Sequence, residues 1–199
     1  MAIITLTSDL GDNSHYPAII KGVILSAFPE ARLIDITHNI PNFDLIQAAY
    51  VVKHSLRAFP PGTIHLIGGD PDMDFAPQGV VMEFQDLLFV APDNGILSLI
   101  CEGNWDSAHQ VRRLDLIRED FPRSLRAARV LGPVAAYLAK GGEPEDLGPE
   151  TQLRDLRWGE PTYSDNCLRG KIIHIDKFGN AIPNIRKGGF LGLKEDRRF

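Results

Sequence analysis

Cysteine is almost absent. Two residues, Cys101 and Cys167, stand far apart with no CxxC pair and no neighbouring histidine. That excludes a disulfide framework and argues against a zinc site, and it fits a reduced, cytoplasmic setting. Aromatics make up 8% of the 199 residues, and no apolar run approaches the roughly 20 residues of a membrane span. There is no basic excess either. The net charge is −5, and no Lys/Arg cluster is interleaved with aromatics, so neither nucleic acid nor an anionic membrane is an expected partner. The start, Met1-Ala2-Ile3-Ile4-Thr5, lacks the basic n-region and cleavage site of a secretory signal. Several sequence signatures are missing as well: GxGxxG after a strand, a P-loop, HExxH and GxSxG. Their absence argues against a Rossmann dehydrogenase, a nucleoside triphosphatase, a zinc protease and an α/β-hydrolase.

What the chain does have is a set of acidic, glycine-containing turns, each at the end of a β-like run. They are Thr7-Ser8-Asp9-Leu10-Gly11, Pro92-Asp93-Asn94-Gly95 and Asp176-Lys177-Phe178-Gly179-Asn180, with Gly68-Gly69-Asp70-Pro71 a fourth of the same kind. A parallel α/β sheet binds its ligand at the carboxyl ends of its strands. Taken singly, each turn is ordinary punctuation. Several carboxylates delivered to such edges point together to a site for a polar small molecule.

The organisation supports that sheet. Residues 2–7 read as a buried strand, Tyr16 to Phe28 as an amphipathic helix stopped by Pro29, and Arg32 to Ile36 as a second strand. Leu45 to about Ala58 reads as a helix opened by Asp44, and Thr63 to Ile67 as a third strand. This alternation predicts βαβ units and an α/β fold with a mainly parallel sheet flanked by helices. Val80 to Phe84 and Leu87 to Ala91 read as a hairpin, Ala108 to Leu114 as a strand, and Ser124 to Lys140 as a helix that Pro133 kinks or restarts. The expected division is an α/β domain over 1–142, an aperiodic linker over 143–166, and a partial β domain over 167–199.

Four residues can be weighed from their positions alone. Asp9, between a buried strand and a glycine, can accept from both hydroxyls of a ribose, with an N-cap or Asx turn as the alternative. Asp70 can orient a water or a substrate hydroxyl, with an Asp-Pro turn as the alternative. Asn94 is a binding candidate or simply the holder of a left-handed turn position. His38, after Asp35-Ile36-Thr37, reads better as a satisfied structural histidine than as a general base. The remaining histidines show no metal-ligand spacing.

With these segments placed, the chain resembles the S-adenosylmethionine hydroxide adenosyltransferases, the family that also holds the fluorinases and chlorinases. The resemblance runs from Ile3 to about Ile185. It rests on the turns above together with Lys21-Gly22, Asp35-Ile36-Thr37-His38, Phe59-Pro60-Pro61-Gly62-Thr63, Gly132-Pro133-Val134-Ala135-Ala136 and Ile175-Asp176-Lys177-Phe178-Gly179-Asn180. It implies an N-terminal α/β domain, a C-terminal β-barrel and a homotrimer with sites at subunit interfaces. It implies attack of water, hydroxide or halide on the ribose C5′ of S-adenosylmethionine, with methionine leaving. That molecule is then the substrate, and neither a metal nor a cofactor is required, because a sulfonium is already a good leaving group. By the same analogy Asp9 holds the ribose diol and Phe43 lies near the ribose. Asp176 meets the methionine ammonium, and Phe178 and Asn180 flank the adenine.

Two departures qualify these expectations. Hydroxide-using members carry an Arg seven residues after the Asp and a His in a Phe-His-Gly-Arg-Asp segment. Here Pro77 stands at the Arg position, and Asp120 to Arg126 contains no His. The barrel is also expected to stop half built, at residue 199. The alternatives are therefore an S-adenosylmethionine-cleaving enzyme, a non-catalytic nucleoside binder that has lost water activation, or a structural trimer subunit.

Overall fold

The computed structural model describes residues 2–69, 79–164 and 167–194. The chain divides into two compact units, 1–156 and 157–199.

The first unit is built on a six-stranded sheet. Its strands are β1 (Ile3–Thr7), β2 (Arg32–Thr37), β3 (Ile64–Ile67), β4 (Val80–Phe84), β5 (Leu87–Ala91) and β6 (Ser107–Gln110), in the order β2-β1-β3-β5-β4-β6. β2, β1, β3 and β5 run parallel, whereas β4 pairs antiparallel with both β5 and β6. The mixed α/β class with a mainly parallel sheet is therefore present. Helices cover both faces, α1 (Tyr16–Ala27) packing with α4 (Gly132–Ala139) and α2 (Leu45–Ser55) with α3 (Ile96–Cys101). Ile4, Leu6, Ile64 and Leu66 of the sheet, Ile20 and Ile24 of α1, and Val134 and Ala135 of α4 form one buried cluster. Each contributes its apolar surface to the main stabilising term.

β1 lies between β2 and β3, so the chain leaves the sheet on one side after β1 and on the other after β3. The loops after these two neighbouring parallel strands diverge and open a crevice at their carboxyl ends, the place such sheets use for ligands. The helix that follows this crevice has a local cap: the Asp44 side chain accepts from the Gln47 amide at 2.9 Å and starts α2.

Three expectations meet different outcomes. The strand expected over Ala108 to Leu114 ends at Gln110, and Leu114–Leu116 is a 3₁₀ turn. β4 begins at Val80, opposite Gln110, so later residues have no β4 partner. Arg112 bonds the Leu147 carbonyl instead, at 2.8 Å. Second, the helix does restart at Pro133, which sits in the first turn of α4. A π-helical turn, Ala127–Leu131, runs directly into α4. Proline has no N–H to give the carbonyl of Arg129 four residues back. The Arg118 amide satisfies that carbonyl instead, at 2.9 Å. Third, the first half of stretch 143–166 is packed rather than linking. Pro144–Leu147 forms a 3₁₀ turn, Leu147 and Leu153 are buried, and the Leu156 amide bonds Ser98 Oγ at 3.0 Å. Leu147 and Leu153, too widely spaced to show periodicity, anchor this segment.

The second unit contains two two-stranded antiparallel ribbons and a helix. β7 (Thr162–Ser164) pairs with β8 (Cys167–Arg169), β9 (Ile172–Ile175) pairs with β10 (Ala181–Pro183), and α5 spans Lys187–Lys194. Among the described residues no helix is long and apolar enough to cross a membrane.

Candidate functional site

The crevice beside β1 and β3 is a shallow cleft, partly open to solvent. Its walls include Ser8, Asp9, Phe43, Ile67, Gly69 and Ile96. Asp9 is half-buried in the loop after β1. Its carboxylate does not close an Asx turn on its own loop. It accepts instead from the backbone amide of Phe43, 34 residues away, at 3.0 Å to Oδ2. Phe43 holds that amide in place at a conformational cost, since its φ of 65° lies in the left-handed region that bulky residues avoid. Its side chain is 61% exposed at the mouth of the cleft, an apolar surface beside a carboxylate.

Gly69 closes the other side. Its φ is +150°, and a side chain there would meet Asp9 Oδ1 at 3.3 Å, so glycine lets the β3 loop pass close to the carboxylate. Asn94 is drawn in through the same residue. It is 6% exposed, and its Nδ2 donates to the Gly69 carbonyl at 3.1 Å. Its Oδ1 accepts from the Ile96 amide at 3.2 Å. Asn94 does not occupy the left-handed position of its turn. Gly95 does, with φ +96°, where a Cβ would fall 2.6 Å from that of Leu156. Asp9 and Phe43 thus line one cleft, whereas Asn94 is not part of its wall and braces Gly69 from behind. Asp70 and Pro77 lie outside the described residues.

Beneath the Asp9 loop is a buried Ser8–His38 pair that leads out to the more exposed Asp35 and Lys21. Ser8 and His38 are each 3% exposed, and Ser8 Oγ lies 2.7 Å from His38 Nδ1. His38 Nε2 is 3.2 Å from Asp35 Oδ1, and Lys21 Nζ is 2.5 Å from Asp35 Oδ2. Partial burial would raise the Asp35 carboxyl. Lys21 and His38 outweigh it and hold the group below the usual carboxylate range. The reading of His38 as a satisfied histidine agrees with these contacts. The Asp35-Ile36-Thr37-His38 string held the signal, but Ser8 becomes its partner only when β1 and β2 pair.

Asp176, Phe178 and Asn180 come together in the second unit, in the turn joining β9 to β10. Asp176 Oδ1 accepts from the amides of Phe178 and Asn180, each at 2.9 Å, and Oδ2 accepts from Asn180 Nδ2 at 2.7 Å. The Asn180 bonds foremost hold this exposed carboxyl below its ordinary range. The fold of the turn presents Phe178 outward, 92% exposed. Among the described residues no group of three or more His, Cys, Asp or Glu is placed to hold a metal ion.

Known proteins share this architecture and sequence. A Thermus thermophilus protein named (R)-S-adenosyl-L-methionine hydrolase is 30% identical, over 92% of this chain and 76% of its own. A Nocardia brasiliensis fluorinase is 26% identical, over 93% of this chain and 71% of its own. The crystal structure of an uncharacterized conserved protein from Thermotoga maritima superposes with a TM-score of 0.87 at 29% identity. That alignment covers 96% of this chain and 74% of the other. The model of the SAM hydroxide adenosyltransferase N-terminal domain matches residues 4–148, which contain the whole Asp9 cleft. The chain therefore belongs to the SAM hydroxide adenosyltransferase family.

Proposed function

We propose that this protein cleaves S-adenosylmethionine at the ribose C5′, releasing methionine with adenosine or a 5′-halo nucleoside. The observation that carries the reading is the Asp9 carboxylate, fixed by the Phe43 amide in a cleft at the sheet's switch point. The 2′- and 3′-hydroxyls of the ribose donate to Asp9, and the Phe43 ring covers the sugar. Asn94, with its amide engaged by Gly69 and Ile96, acts by holding the β3 loop against Asp9. Asp70 orients the attacking water. The water oxygen forms a bond to C5′ as the C5′–S bond breaks. The bonding pair goes to sulfur, methionine departs as a neutral thioether, and the water proton passes to Asp70 or solvent. This route calls for no metal or organic cofactor. In the second unit the outward Phe178 stacks on adenine, while Asp176 and Asn180 supply polar contacts to the substrate. A homotrimer completes the site, with this turn contributed across a subunit interface. Exposed Ile172, Ile175 and Phe178 on a two-stranded ribbon support that reading, because such ribbons are marginal alone.

The test is chromatography of products after incubation with S-adenosylmethionine, with and without chloride or fluoride. Adenosine that accumulates slowly, and more slowly still with Asp70→Asn, is the expected outcome. Fast turnover that survives Asp70→Asn would remove Asp70 from the mechanism. A second reading is favoured by Pro77 and by the lack of His in 120–126: a binder of adenosine or S-adenosylmethionine without water activation. Tight adenosine binding with no cleavage under any condition would select it.

A further inference from the structure

The Ser8–His38–Asp35–Lys21 chain has no place in the reaction as written, yet it is built into the site's foundation. Asp9 sits between Ser8 and Leu10, and Ser8 Oγ joins the two ends of that tripeptide. It contacts His38 Nδ1 at 2.7 Å and accepts from the Leu10 amide at 3.4 Å. The backbone makes the same connection. Ser8 N donates to the Thr37 carbonyl at 3.0 Å, Gly11 N to the His38 carbonyl at 2.7 Å, and Ile40 N to the Ser8 carbonyl at 3.3 Å. A loop that would otherwise swing freely is therefore zipped to the loop after β2.

For an imidazole carrying one hydrogen, the contacts set the direction of the chain. Asp35, held as a carboxylate by Lys21, is only an acceptor, so the His38 hydrogen lies on Nε2. With that single hydrogen on Nε2, Nδ1 accepts the Ser8 hydroxyl hydrogen. The Ser8 oxygen lone pairs are left for Leu10 N–H. A backbone rotation at Ser8 would break both bonds and shift Asp9, which follows it in the chain.

We propose that His38 is a positioning residue. Acting through Ser8, it locks the Ser8–Gly11 loop in the conformation that aims Asp9 at the ribose diol. The affinity part of this inference rests on the nucleoside reading of the cleft, and the loop part does not.

The experiment compares full-length wild type, His38→Leu, His38→Asn, Ser8→Ala, Asp9→Ala and the His38→Leu/Asp9→Ala double variant. Adenosine affinity is read by calorimetry. Amide exchange of the ligand-free protein is read by mass spectrometry. The expected result for His38→Leu and for Ser8→Ala is a loss of affinity of about fivefold, the worth of one neutral hydrogen bond. Exchange at Leu10 and Gly11 accelerates by a similar factor, while Ile4 to Leu6 in β1 keeps its protection. His38→Asn, whose carbonyl oxygen replaces Nδ1 as the acceptor, restores most of the affinity. In the Asp9→Ala background His38→Leu costs nothing further, because the carboxylate it positions is gone. A merely structural histidine predicts equal losses for Leu and Asn, and an equal loss with or without Asp9. Either pattern, or unchanged exchange at Leu10 and Gly11, overturns the proposal. If wild type binds no adenosine, the nucleoside reading fails, and the exchange comparison alone decides the role of His38.

Discussion

His65 should make the folded protein sensitive to acid well above the range where carboxylates titrate. It lies in β3 in the middle of the sheet, 0% exposed, with Nδ1 2.7 Å from Thr5 Oγ1 and its ring stacked on Phe89 at 5.1 Å. Nε2 has no hydrogen-bond partner among the described residues. Burial penalises the imidazolium and pushes the pKa down from 6.5 to about 4. The unfolded chain therefore binds the proton more readily than the folded one. The stabilisation is fully present above pH 6.5 and is lost as pH falls from 6.5 toward about 4. Each pH unit in that window is worth about 1.4 kcal/mol, so the loss approaches about 3 kcal/mol in full, and about 2 kcal/mol between pH 7 and pH 4.5. The perturbation is His65→Gln, which keeps a polar partner for Thr5 and does not titrate. Urea unfolding at fixed protein concentration gives stability at each pH, and carboxylate contributions cancel in the difference between the two proteins. Wild type should lose about 2 kcal/mol more than His65→Gln over that interval. Parallel pH profiles would show that His65 is protonated in the fold or that the unfolded state holds it equally, and would refute the reasoning.

Three further outcomes are expected. Asp9→Ala should weaken adenosine binding at least about tenfold, as loss of a charged hydrogen-bond partner does, with circular dichroism and melting temperature near wild type; unchanged affinity by calorimetry would remove Asp9 from the site. Phe43→Gly should cost nucleoside affinity without costing stability. It relieves about 1–2 kcal/mol of left-handed strain, offset in part by the extra freedom of glycine in the unfolded chain. Denaturant unfolding that shows a loss beyond about 1 kcal/mol would mean the Phe43 side chain is bound into the fold. Light scattering at micromolar concentration should give a trimer mass, and a monomer would end the interface-site model.

The sequence by itself determined what local chemistry can encode. β-branched runs placed β1, β2 and β3, Asp44 announced the start of α2, and the Asp-Gly turns marked the strand ends where a site would lie. The run of segments from Ile3 to Ile185 carried the family resemblance. It went wrong where a residue's partner is remote. The alternation in 111–114 looks like a strand, but no β4 residue lies opposite it. The aperiodic stretch after 143 looks loose, but single apolar anchors at Leu147 and Leu153 tie it down. Only the tertiary structure decided which turns share a cleft. Asp9 and Phe43 meet across 34 residues, and Ser8 and His38 across 30. Those contacts exist because β1 pairs with β2 on one side and β3 on the other. Strand pairing is a long-range choice, made by burial of both faces of the sheet, and no local pattern of residues states it.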